Sequence, residues 1–80
     1  MRLDKYLKIS RIIKRRTVAN EACDAQRVCV NGKPAKASYE VKVGDTIDIR
    51  FGDKTTSLQV LAIKDTVRKE DAHTLYQLAE

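Results

Sequence analysis

The first sixteen residues hold Arg2, Lys5, Lys8, Arg11, Lys14, Arg15 and Arg16, opposed by Asp4 alone, a local charge of +6. The remaining sixty-four carry nine basic and ten acidic residues, so the chain's +5 resides almost entirely in its opening segment. A surface made only for solubility intersperses its signs. A one-signed segment joined to a near-neutral remainder predicts a polyanionic partner. Arginine suits phosphate because its planar fork of donors meets two oxygens at once. Asp4 is the exception. Pairing with Lys8 one helical turn on is worth only about 0.3–0.5 kcal/mol, so the preferred reading is that it orients a nearby arginine.

Other chemistries find little support. Cys23 and Cys29 stand six positions apart, which fits no zinc pattern, and His73 is the single histidine. Two small buried thiols are expected rather than a metal site or a disulfide. No Ser, Cys or carboxylate constellation surrounds His73, so no catalytic residue, metal or cofactor is assigned and the chain reads as a non-enzyme. Eighty residues make one domain that buries about 60% of its unfolded surface. With aromatics at 5% and no Trp, the core must come from Leu, Ile, Val and Ala, with little volume left for a substrate cavity. No apolar run approaches the roughly 20 residues that cross a bilayer, and the Met-Arg-Leu-Asp-Lys start lacks a secretion signal. A cytoplasmic monomer with no membrane contact is expected.

The elements that must position the cations follow from periodicity. Leu3 and Leu7, with Tyr6 beside them, predict a short amphipathic helix from Arg2 to Ile9. Thr17 offers an N-cap oxygen for a second helix over about 18–25, burying Val18, Ala22 and Ala25 with Ala19 close by, and turning Asn20, Glu21 and Asp24 to water. Val28-Cys29-Val30 before Asn31-Gly32 predicts a hairpin with a type I′ turn, whose two central positions need positive φ. Lys33, Pro34 and Lys36 make its tip basic. Tyr39, Val41 and Val43 read as a strand entry, and Ile47, Ile49 and Phe51 alternate as a strand with one buried face. A last strand is expected over 55–63. Beyond Val67, the spacing of Ala72, Leu75, Tyr76 and Ala79 predicts a helix packed on the sheet.

This order of motifs resembles the alpha-L RNA-binding domain. The residues that carry the likeness are Arg2-Leu3-Asp4-Lys5-Tyr6-Leu7, Arg15-Arg16-Thr17, Arg27-Val28-Cys29-Val30-Asn31-Gly32-Lys33 and Val41-Lys42-Val43-Gly44-Asp45. The module is shared by ribosomal protein S-four, several pseudouridine synthases, tyrosyl-tRNA synthetase and heat shock protein fifteen. It covers roughly residues 1–51, with 52–80 as an extension of one strand and a helix. The resemblance implies an α+β fold, two N-terminal helices on a small, mostly antiparallel sheet with a C-terminal helix. Among stand-alone members, the Lys-Ile-Ser-Arg-Ile-Ile-Lys-Arg-Arg-Thr segment and the Leu61–Thr66 tail are most similar to the bacterial ribosome-quality-control factors that stabilise P-site tRNA.

That likeness implies binding to large-subunit ribosomal RNA and peptidyl-tRNA, beside the elongation factor that adds alanine tails to stalled chains. It puts Arg2 and Lys5 on the first helix, Arg11, Arg15 and Arg16 before the second, and Asn31, Lys33 and Lys36 at the hairpin as RNA contacts, with Asp4 and Thr17 orienting. A general ribosomal-RNA or assembly protein of the heat shock protein fifteen type is the alternative. DNA binding lacks a recognition helix with base-reading Asn or Gln beside Arg. A membrane surface would want Trp or Phe on the apolar face of the basic segment. Where the family often has Gly before the Arg-Val-x-Val strand, Gln26 stands here, so a left-handed cap would cost about 1–2 kcal/mol.

Overall fold

The computed structural model describes residues 1–79. Two helices, α1 (Leu3–Ile9) and α2 (Arg16–Asp24), precede strands β1 (Val28–Val30), β2 (Lys33–Pro34), β3 (Thr46–Phe51) and β4 (Lys54–Val60), and a 3₁₀ helix (Lys69–Leu75) leads into β5 (Tyr76–Ala79). The strands form one antiparallel sheet in the order β2-β1-β3-β4-β5. Its inward face supplies Val28, Val30, Ile47, Ile49, Leu58 and Val60, all buried against Leu3, Tyr6 and Leu7 of α1 and Ala19 and Cys23 of α2. Alternation in β3 sets this register, because Ile47 and Ile49 point inward while Thr46 and Asp48 stay half-buried.

The hairpin forms as its turn residues require. Asn31 and Gly32 take φ of 52° and 85°, and Val30 pairs with Lys33 directly across the two-residue loop. Gln26 does adopt the left-handed conformation, φ 59°. It closes α2 with both Schellman bonds, Gln26 N–H to the Cys23 carbonyl (3.0 Å) and Arg27 N–H to the Ala22 carbonyl (2.9 Å). Arg11, φ 63°, takes the same conformation after α1 and donates to the Lys8 carbonyl at 3.0 Å, while the Leu7 carbonyl accepts from Ile13 N–H at 3.1 Å. Each side chain in this region costs about 1–2 kcal/mol against glycine.

Four sequence expectations shift. The second helix starts at Arg16 with Arg15 as its N-cap, extended at φ −116° and ψ 130° and giving no side-chain cap; Thr17 therefore lies inside the first turn and caps nothing. Ala19 and Cys23, rather than Val18 and Ala25, face the core, and Val18 is about half exposed at 46%. The segment around Tyr39, Val41 and Val43 makes no strand; its ordered contact is the Arg2–Glu40 bridge, with the Met1 amino group on the Glu40 carboxylate. Past Val60 the chain leaves the sheet.

The expected C-terminal helix over the Ala72–Ala79 stripe divides in two. Ala72 and Leu75 are three apart, which puts both on the inner side of a 3₁₀ turn, and both are buried. Tyr76–Ala79 then pairs with β4 and satisfies an edge that would otherwise be open. The Leu75 carbonyl fixes the junction, accepting from the Tyr6 hydroxyl (2.7 Å) and from the Leu61 (2.9 Å) and Ala62 (3.2 Å) amides. Burial, followed by the neighbouring Tyr76, raises the Tyr6 phenol well above its ordinary value, so it stays a donor here.

Candidate nucleic-acid interface

Asp4 is the centre from which the basic surface is built. Its carboxylate is buried on α1 and accepts from the Lys5 backbone N–H at 2.8 Å. Arg2 forks onto both oxygens, Nε to Oδ1 at 3.2 Å and Nη2 to Oδ2 at 3.3 Å. Arg16 Nη2 reaches Oδ1 at 3.4 Å and Asn20 Nδ2 reaches Oδ2 at 3.3 Å. Burial pushes the Asp4 carboxyl up, but the Arg2, Asn20 and Arg16 hydrogen bonds outweigh it and hold the group below the usual carboxylate range. It is an anion at neutral pH.

The exposures decide what this centre does. The Asp4 side chain is 3% exposed while those of Arg2 and Arg16 are 50% and 46% exposed. One hidden anion thus engages two half-exposed guanidiniums, Arg2 at the N-cap of α1 and Arg16 at the start of α2, each with N–H groups not spent on Asp4. Asp4 is thus partnered by Arg2, Arg16 and Asn20, and Lys8 is not among its partners. Asn20, read from sequence as a solvent residue, belongs to the same centre. Its signal was available in retrospect: it lies four positions after Arg16, on the same face of α2.

A second buried carboxylate shapes the hairpin tip. Asp45 accepts from the Tyr39 hydroxyl (2.9 Å), the Asn31 side-chain amide (3.1 Å) and the Lys42 backbone N–H (2.9 Å). Burial raises its carboxyl, and those three bonds more than reverse the effect, so it too lies below the ordinary range. The other end of the Asn31 amide accepts from Thr46 N–H at 3.0 Å. Both ends of Asn31 are therefore committed to the turn. Lys33 and Lys36 remain exposed on the tip.

The other expected contacts lie along α1 and the loop behind it. Lys5 is half-buried and reaches Asp65 at 3.6 Å, and Arg11 and Arg15 are exposed. Lys5, Lys8, Arg11, Lys14, Arg16 and Lys69 border a groove of about 320 Å³ between the α1–α2 connection and the chain at 65–69. Thr17 borders a separate hollow with Asp4, Arg16, Asn20 and Glu21. Cys23 and Cys29 are both free thiols, and among the described residues no group of three or more His, Cys, Asp or Glu could hold a metal. No helix among them is long and apolar enough to cross a membrane.

This geometry coincides with a full-length likeness to known proteins. Residues 1–47 match the S4 domain model. The "RQC P-site tRNA stabilizing factor" of Halalkalibacterium halodurans is 55% identical, covering 98% of this chain and 89% of that protein. The factor of the same name from Bacillus subtilis is 53% identical over 98% of this chain and 91% of its own. The chain belongs to the S4-domain family of RQC P-site tRNA stabilizing factors. It is accordingly a non-catalytic RNA-binding protein of ribosome-associated quality control. The trimeric heat shock protein 15 of Vibrio cholerae superposes with a TM-score of 0.91 at 32% identity, covering 99% of this chain and 81% of that one. The shared α+β fold extends past the matched domain through the 3₁₀ helix.

Proposed function

We propose that this chain binds the large ribosomal subunit during quality control of stalled translation, contacting ribosomal RNA and holding peptidyl-tRNA in the P site. In that position it supports the elongation factor that adds alanine tails. The observation that carries the reading is the Asp4 centre, which holds Arg2 and Arg16 on one buried carboxylate with both side chains about half exposed; near-full-length relatives named for the P-site tRNA support the choice of ligand. Arg2, Lys5, Arg11, Arg15 and Arg16 meet phosphates on one side. Lys33 and Lys36 meet a second RNA segment at the hairpin tip, where Asn31 acts by holding the turn. Asp4 orients the arginines, and Thr17 lines the hollow beside them. Residues 1–51 form the binding core, and the described part of the extension, 52–79, braces it.

Two contact surfaces on one small chain make it a clamp, because once the first is engaged the second binds at high effective concentration. Large subunits holding peptidyl-tRNA should therefore bind more tightly than empty ones, and alanine-tail synthesis on stalled chains should fall when the protein is removed. Equal affinity for both particles, with undiminished tailing in its absence, would replace this reading with general ribosomal-RNA binding, the alternative that the likeness to heat shock protein 15 favours. The working unit is taken to be one chain; sedimentation at about 9.1 kDa checks this, and a trimer would revise it.

A further inference from the structure

The groove between the α1–α2 connection and residues 65–69 differs from the hollow beside Asp4 in its lining, which includes two apolar side chains where the hollow has none. Ile9 and Val67, both half-buried, line it together with six cations and Asp65 as its single carboxylate. Its volume of about 320 Å³ lies at the small end of ligand cavities, about 300–1,000 Å³. A paired helix keeps its base faces stacked and presents phosphates, ribose and polar base edges, none of which fills an apolar slot. Flat base faces enter only when unstacked, and RNA-binding proteins commonly stack splayed bases on aromatic rings or guanidinium planes, the second of which Arg11 and Arg16 offer in this groove.

We infer that this groove receives a single unpaired nucleotide of the bound RNA, its base between Ile9 and Val67 and its phosphates among the rim cations. Arg11 gives the inference a second support. It occupies a left-handed position, φ 63°, where glycine is unstrained, yet a guanidinium stands there and lines the groove. Lys69, Thr66 and Val67 come from beyond residues 1–47. The site is thus assembled by the RNA-binding domain and the chain that follows it. Lys5 pairs with Asp65 at 3.6 Å, and Asp65 is 89% exposed, so an entering phosphate can take Lys5 from it at little cost. The inference rests on the RNA-binding reading and adds to it a preference among RNA structures.

The test compares two hairpin RNAs of equal phosphate number, one fully paired and one with a single bulged 2-aminopurine, using the whole protein at fixed salt. About tenfold tighter binding of the bulged RNA is expected, the scale of one stacked base, with a change in 2-aminopurine fluorescence on binding. Val67→Gln should abolish the preference while leaving affinity for the paired hairpin unchanged, and circular dichroism confirms its fold. Equal affinity of the wild-type protein for both hairpins overturns the groove assignment and leaves RNA binding standing. Binding to neither hairpin overturns both. Free adenosine monophosphate that displaces the bulged RNA at equal concentration would make this a mononucleotide site and overturn the RNA source.

Discussion

Asp4 and Asp45 are both buried carboxylates held below their ordinary range by hydrogen bonds, yet they build different things. The donors around Asp4 are two arginines, an asparagine and one backbone N–H. Those around Asp45 are a tyrosine hydroxyl, an asparagine and one backbone N–H. Arginine has five N–H groups and spends one or two on the carboxylate, so the Asp4 centre has donors left for a ligand. At Asp45 the tyrosine proton is spent and Asn31 is engaged at both ends. The lesson is that a buried anion makes a binding surface when its partners are multivalent cations and makes a rigid turn when they are neutral.

The largest effect expected from breaking this contrast is on stability. Arg2→Ala with Arg16→Ala leaves the buried Asp4 charge without a cation, which costs about 3 kcal/mol, the low end for a broken buried pair because the guanidiniums are half open. Adding Asp4→Asn should recover much of that loss while RNA affinity stays low, as read by thermal melts beside filter binding. Failure of the third change to rescue would mean that Asp4 is not electrostatically dependent on the arginines. Arg16→Ala alone retains Arg2, so it should fold, bind structured RNA more weakly and flatten the salt dependence by about one contact, a slope change of roughly 0.7–0.9. An unchanged slope removes Arg16 from the interface.

The single asparagine substitutions sharpen the comparison. Asp4→Asn frees two arginines to rotate, and re-ordering them on RNA should cost about 0.5–1.5 kcal/mol for each. Asp45→Asn should act chiefly on the fold, by about 1–3 kcal/mol for disturbed buried hydrogen bonds, with a smaller change in RNA affinity. Equal effects on affinity would dissolve the distinction between a presenting and a shaping centre. Acid should reveal both. Since each folded carboxyl lies below the ordinary value of about 3.9, the unfolded chain takes up protons first as pH falls. Stability is therefore full above about pH 5 and is lost as pH drops through the lowered folded values. Each variant should flatten part of that acid limb in melts.

What the sequence made legible, and what it hid, divides along the same line between local and tertiary causes. The Asn31-Gly32 turn and the Ile47/Ile49 alternation are written in adjacent residues, and both form as expected. The basic opening segment that supplies Arg2 and Arg16 was legible from charge, whereas the choice of those two arginines came with the family resemblance. The phase of α2 was not, because Ala19 and Cys23 are buried by α1 and the sheet, which lie outside the helix's own residues. Residues 72–79 mislead for a related reason: spacings of three, four and seven fit a helix, but the unpaired edge of β4 recruits Tyr76–Ala79 into the sheet. No window confined to that segment contains the edge it must cover.

The smallest effect joins the Asp4 centre to the core behind it. Burial, with the Asp4 and Asp24 carboxylates adding to it, pushes the Cys23 thiol up to about 11. The thiolate is the nucleophile, so Cys23 should resist alkylation in the folded protein at neutral pH, whereas the half-buried Cys29 should react. Intact mass after brief iodoacetamide treatment should show one adduct, at Cys29, and two after unfolding. A raised folded value also means that the unfolded thiol ionises first as pH climbs, so this contribution to stability is present below about pH 8.5 and is lost as pH rises through about 11. Asp4→Asn removes one of the charges that disfavour the thiolate and should quicken Cys23 alkylation modestly at pH 9, whereas Asp45→Asn should leave it unchanged. Equal rates in the two variants would confine the influence of Asp4 to its arginines.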